Sequence, residues 1–150
     1  MLRLRSILSL ILIGVTTLLV SCGGGVAKEP PTYTPEKIAQ IQQALIPIQK
    51  VQARMDELGE LVDAQDWVYV DNLIHGPFGN LRPSMSYISR QLLPEDEQQA
   101  KDIAKEISDD FDKLAAAAKE KNNSLGQRSY GDALNDLNAF VNMMPTESDS

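Results

Sequence analysis

The chain has 150 residues, with 14 basic and 21 acidic side chains, one histidine, one cysteine and a formal charge of -7. That length suits one domain of ordinary size, and the single sulfur excludes an internal disulfide, so stability has to come from a packed core. The acidic balance excludes nucleic acid and a polybasic membrane patch as modes of binding.

The first 21 residues read as an export leader. Arg3 and Arg5 give a basic start, Ile7 to Val20 form an apolar run short for a membrane span, and Ser21 precedes the cysteine. Leu19-Val20-Ser21-Cys22 resembles a bacterial lipobox, in which the chain is cut before a cysteine that carries a diacylglyceryl group. This predicts a signal peptide over 1–21 and lipidation at Cys22. Loss of the leader leaves 12 basic against 21 acidic side chains, a charge of about -9, so the lipid is the expected membrane contact. Residues 22–34 contain GGGVAKEPPTYT, whose three glycines and Pro-Pro pair predict a flexible tether.

Thr34-Pro35-Glu36 is a helix start: a hydroxyl at the N-cap, proline at the first helical position and an acid in the first turn. Ile38, Ile41, Leu45, Ile48, Met55, Leu58 and Val62 follow at threes and fours, with Gln52 at the one polar step and Val51 beside it. The spacing predicts one amphipathic helix of about 28 residues, bent at Pro47 and frayed near Gly59. A further helix starts at Pro94 with three acids in its first turn and ends near Lys119 and Lys121. Its stripe is Ala100, Ile103, Ile107, Phe111, Leu114 and Ala118, and Glu97/Lys101 and Asp109/Lys113 are expected as water-facing pairs. A last helix of roughly 20 residues is expected after Gly126 or Ser129, burying Tyr130, Ala133, Leu134, Leu137, Phe140, Val141 and Met144. Pro145 ends it, and residues 146–150 read as a solvated tail. No alternating run of β-branched residues occurs. The expected class is all-α, an antiparallel up-down-up-down four-helix bundle over residues 35–145.

Between the first and third helices lies WVYVDNLIHGPFGNLR. Trp67, Val70, Ile74, Phe78, Leu81, Met85, Ile88 and Leu92 are separated by three or four residues throughout, so the apolar register passes through HGPFG unbroken. This predicts one long helix from about Asp66 to Leu93, distorted because Pro77 cannot donate to the carbonyl of Leu73 nor Pro83 to that of Gly79. Interior prolines cost about 3 kcal/mol each and glycines about 1. Two explanations fit such a penalty: a bend that wraps the helix round the core, or a surface shaped for a partner. On the second, the binding segment is His75, Gly76, Pro77, Gly79 and Arg82, with His75 and Arg82 two turns apart on one side. Alanine at Gly76, Pro77 and Gly79 would then leave stability equal or higher, provided none of the three sits where a side chain would clash.

The sole histidine rules out a two-histidine metal motif and a Ser-His-Asp arrangement built on a second one. Asp71, one turn before His75, could share a surface metal ion with outside ligands, although a surface hydrogen bond is the commoner outcome. Asp109, Asp110 and Asp112 lack the glycine-centred calcium loop and read as a solvated face. Trp67 opens an apolar stripe and is expected in the core. No phosphate loop, nucleophile elbow or redox cysteine pair occurs, so no catalytic residue and no cofactor is expected.

Asp66-Trp67, Ile74-x-Gly76-Pro77-x-Gly79-x-Leu81-Arg82, Leu92-Leu93-Pro94, and the closing Tyr130, Ala133, Asp136 and Phe140 together resemble the cyanobacterial form of PsbQ, often called CyanoQ. The resemblance covers essentially the mature chain. It implies a lipid-anchored four-helix protein on the lumenal face of photosystem II in the thylakoid, beside other extrinsic proteins, where it stabilises the oxygen-evolving assembly without catalysis. The family pattern has an arginine before the Gly-Pro pair and a leucine after it; here His75 and Phe78 stand there, which implies a pH-dependent charge at position 75. The alternative from the residues alone is a periplasmic lipoprotein that binds a small ligand or metal between its helices, which polar residues aimed into the core would favour; Gln52 is the one such residue on a stripe.

Overall fold

A computed structural model describes residues 31–149. The expected leader and the lipidation at Cys22 lie outside the described residues. Among the described residues six α-helices follow one another: α1 Pro35–Gln52, α2 Met55–Asp63, α3 Trp67–His75, α4 Leu81–Ser89, α5 Pro94–Glu120 and α6 Asn123–Asn142, with a 3-10 turn over Glu147–Asp149. No strand occurs among the described residues, so the chain is all-α as the periodicity implied.

The first expected helix is two. Thr34 caps α1 by accepting from the Lys37 N–H, and Pro35 takes the first helical position. The helix then runs through Pro47 and ends five residues beyond the predicted bend, at Gln52. At Ala53 and Arg54 the ladder tightens, with the Arg54 N–H on the Val51 carbonyl at 2.9 Å, before α2 begins. The junction shifts the buried positions, so Val51 enters the core and Gln52 turns aside to donate to Asn138 on α6 at 2.7 Å. Gly59 is not a fraying point. It is buried within α2, where a Cβ would stand 2.6 Å from the Tyr130 hydroxyl, so the absent side chain lets α6 approach.

Both α2 and α5 end through a residue in the left-handed region that is not glycine. Gln65 has φ 56 and Lys121 φ 54. In each case the next N–H reaches back five residues, Asp66 to Leu61 and Asn122 to Ala117, both at 2.9 Å. These bonds satisfy carbonyls that the helix end would otherwise orphan. The turn after Lys121 is tight enough that α6 starts at once, with Asn122 accepting from the Leu125 N–H. Asn122 and Asn123 thus begin α6 ahead of the start expected at Gly126 or Ser129, and Gly126 lies inside the helix against the Trp67 ring.

The helices bury one continuous apolar cluster, including every position of the stripe from Trp67 to Leu92. In that cluster α1 packs on α4 and α2 on α3, so the second pair of helices runs back along the first. Helix α5 lies against α3 and α4, and α6 closes onto α5, α1 and α2. Tyr33, from the expected tether, is part of the fold. Its hydroxyl donates to Asp96 at 2.6 Å and accepts the Leu93 N–H at 3.0 Å, capping an α5 start that has no side-chain cap of its own.

Candidate docking site

Residues 76–80 form an open corner between α3 and α4, which corrects the expectation of one distorted helix. Proline 77 has no N–H to offer the Leu73 carbonyl, and the Phe78 N–H takes its place, reaching back five residues at 3.1 Å. The Gly76 N–H bonds to Asn72 at 2.9 Å, Gly79 to Gly76 at 3.1 Å and Leu81 to Phe78 at 2.9 Å. One wide turn followed by tight ones restores the phase, so Phe78 and Leu81 still point inward. This is why the stripe reads through a segment that is not helical. Pro83 falls in the first turn of α4, where a helix has no use for the missing N–H, so the interior-proline penalty does not apply there.

The corner has two flanks, with Phe78 and Leu81 reaching both. On one, His75, Gly79, Arg82 and Pro83 line a groove of about 270 Å³ against Ser108 and Asp112 of α5. Beneath it Phe78 meets Phe111 edge to face, with ring centres 5.8 Å apart. Arg82 crosses to α5, its Nη2 2.9 Å from Asp112 Oδ2 and 3.4 Å from the Ser108 carbonyl. The His75 Nε2 lies 3.3 Å from Asp71 Oδ1, and both side chains are substantially exposed. That contact lacks hydrogen-bond alignment, which leaves Asp71 Oδ1 shielded and without a hydrogen bond. His75 and Arg82 therefore share a surface, as their spacing suggested. No group of three or more His, Cys, Asp or Glu able to hold a metal exists among the described residues.

Pro77 faces the other flank. There a second groove, of about 510 Å³, opens between the corner and the α1–α2 junction. The sequence reading missed it because its far wall depends on the break at Ala53-Arg54, two residues that carry no helix-stopping signal. Asp110 was missed for a different reason. Read as solvated among Asp109 and Asp112, it is only 4% exposed, bonded by Lys113 at 2.7 Å and facing Asp136 of α6. Lys113 thus pairs with Asp110 and not with Asp109, which takes Lys105 at 2.6 Å; the Glu97–Lys101 pair forms as expected. Burial and the neighbouring Glu106, Asp110 and Asp132 carboxylates push the Asp136 carboxyl above its ordinary range. Asp110 lies three residues after Ile107 and four before Leu114, so its place on the buried stripe was there to be read.

A small all-helical domain with grooves on both sides of an interrupted helix is the class defined by these features. The family model of PsbQ, described as oxygen evolving enhancer protein 3, matches residues 5–145. CyanoQ of Synechocystis sp. is 45% identical over 147 residues, covering 97% of this chain and 99% of that protein. The chain belongs to the PsbQ family of oxygen-evolving enhancer proteins.

Proposed function

We propose that this protein is a non-catalytic extrinsic subunit of photosystem II, held at the lumenal face of the thylakoid membrane by a lipid on Cys22 and docked through the corner around Gly76-Pro77. In this reading α1–α2, α3–α4, α5 and α6 act as the four arms of an up-down-up-down bundle, residues 35–145, on a tether over residues 22–34. The leader, residues 1–21, is removed. Its partners are photosystem II lumenal subunits and neighbouring extrinsic proteins, and the oxygen-evolving complex is what it stabilises. The observation that carries the reading is family membership across nearly the whole chain. Support for the docking segment is the juxtaposition of His75, Gly79 and Arg82 on one groove. A lipid anchor raises the concentration of a docking surface at the membrane, so a modest protein contact suffices.

The test is rebinding of the purified protein to photosystem II membranes washed free of extrinsic proteins, read as saturable retention and recovered oxygen evolution. Retention with no saturation, or with no effect on oxygen evolution, contradicts the reading. Cys22→Ala separates anchor from dock: it should free the protein from washed membranes lacking photosystem II while leaving its fold unchanged.

A further inference from the structure

The groove on the Pro77 flank is walled by two helix interruptions that meet at the same level. Pro47 and Val51 come from the end of α1 and Ala53 from its junction with α2, and across from them stand Pro77 and Phe78 of the corner and Leu81 at the start of α4. Interrupting two adjacent helices opens an apolar notch, and the two prolines give it stiff walls. Two cations stand at this notch, Lys50 and Arg54. Arg54 is occupied, its Nε and Nη2 bonded to Glu57 at 2.8 and 3.1 Å. Lys50 is exposed, and no carboxylate of the described residues lies within ion-pair distance of it.

Charge complementarity selects the occupant. The chain carries a formal charge of -7, so an acidic partner is repelled over much of its exterior. At the notch, an unpaired ammonium stands beside apolar surface that has already lost its helical neighbours. We propose that this groove seats a segment of a partner protein that inserts an apolar side chain between Pro47 and Pro77 and sets a carboxylate against Lys50. Burying the apolar group removes water from the lining, and the same exclusion strengthens the ion pair at its edge. The inference deepens the docking reading above and rests on it, since it names the chemistry of the surface that the corner meets. His75 and Arg82 belong to the opposite flank, so the two grooves can be tested separately.

The experiment is rebinding of the purified full-length protein to washed photosystem II membranes over a salt series. Lys50→Glu should weaken binding at least about tenfold at low salt and flatten the salt dependence. Lys50→Gln should fall between it and wild type. Ala53→Trp, which fills the notch from an exposed position, should weaken binding comparably without changing its salt slope. Lys119→Glu, an exposed charge reversal on α5, should stay within about twofold of wild type. Circular dichroism should find all four variants folded. Wild-type binding by folded Lys50→Glu and Ala53→Trp overturns the proposal. So does a finding that the same substitutions abolish self-association, or attachment to anionic vesicles, while leaving photosystem II binding intact. Should the wild-type protein itself fail to bind, the docking reading falls first and this inference with it.

Discussion

Gly76 lies so close to Asn72 that a Cβ on it would stand 2.7 Å from the Asn72 carbonyl oxygen. The obstacle is backbone, which cannot swing aside as a side chain can. The same carbonyl already accepts the Gly76 N–H, so the close approach is part of how α3 ends.

Gly76→Ala should therefore destabilise the fold by about 1–3 kcal/mol, the usual cost of forcing extra volume into a fixed site. Equal or higher stability for alanines across the corner was expected only where no side chain would clash, and at Gly76 one would. Gly79→Ala should cost less, because its nearest obstacle, the His75 carbonyl, is 3.0 Å away. Urea melts of the two single variants check the order, and a stabilised Gly76→Ala would show that the corner relaxes freely.

The two left-handed helix ends lead to the opposite sign. Side chains at Gln65 and Lys121 hold φ values near those that glycine adopts freely. Lys121→Gly and Gln65→Gly should each raise stability by up to about 1 kcal/mol, part of the strain relief being offset by the greater freedom of glycine in the unfolded chain. Thermal melts of each variant measure it, and a lowered melting temperature in both would mean that the lost side-chain contacts outweigh the relieved backbone.

The carboxylates between α5 and α6 make stability depend on acid. Burial and the surrounding acids raise the Asp136 pKa in the folded chain. A raised folded pKa favours the protonated group, so its contribution is fully present below the unfolded value near 3.8 and is lost as pH rises through the folded value. Stability from this site should accordingly increase as pH falls from neutral into the acidic range. Asp136→Asn should raise the melting temperature at pH 7 and remove that part of the slope. Equal pH profiles for the two proteins would place the acid sensitivity elsewhere.

Tyr33 gives a corresponding test at alkaline pH. Burial, and then the hydrogen bond to Asp96, push its hydroxyl up to about 12. The unfolded phenol ionises near 10, so the stability it confers is complete below that value and declines as pH rises towards about 12. Tyr33→Phe removes the donor to Asp96 and strands the Leu93 N–H, at a cost of about 1–3 kcal/mol. Burial also raises the Tyr130 hydroxyl, so the assignment is made by the late ultraviolet titration step that is lost in Tyr33→Phe and kept in Tyr130→Phe.

These tests divide between features the sequence announces and features it conceals. The starts at Thr34-Pro35 and Pro94 were legible because proline, acids and a capping hydroxyl act locally, within one turn. The stripe from Trp67 to Leu92 was legible because the corner keeps helical phase, and the same constancy hid the corner itself: periodicity reports which way side chains point, not whether the ladder between them is intact. The junction at Ala53-Arg54 had no local signal, since both residues favour helix, and the buried position of Val51 in place of Gln52 is settled by packing against α4 and α6. Hence the groove on the His75 flank was half visible, through residues close in sequence, and the groove at Lys50 was not, because its walls lie some 25 to 30 residues apart in the chain.

Docking through the corner is measured most directly by the retention of His75→Ala/Arg82→Ala on washed photosystem II membranes beside its melting curve. Both side chains are exposed and their contacts with Asp71 and Asp112 lie at the surface, so the double variant should lose no more than about 1 kcal/mol of stability. It should also be retained at a small fraction of the wild-type level. A folded double variant retained as well as wild type would contradict the claim, and would leave the corner as no more than the bend that fits α3 and α4 to the core.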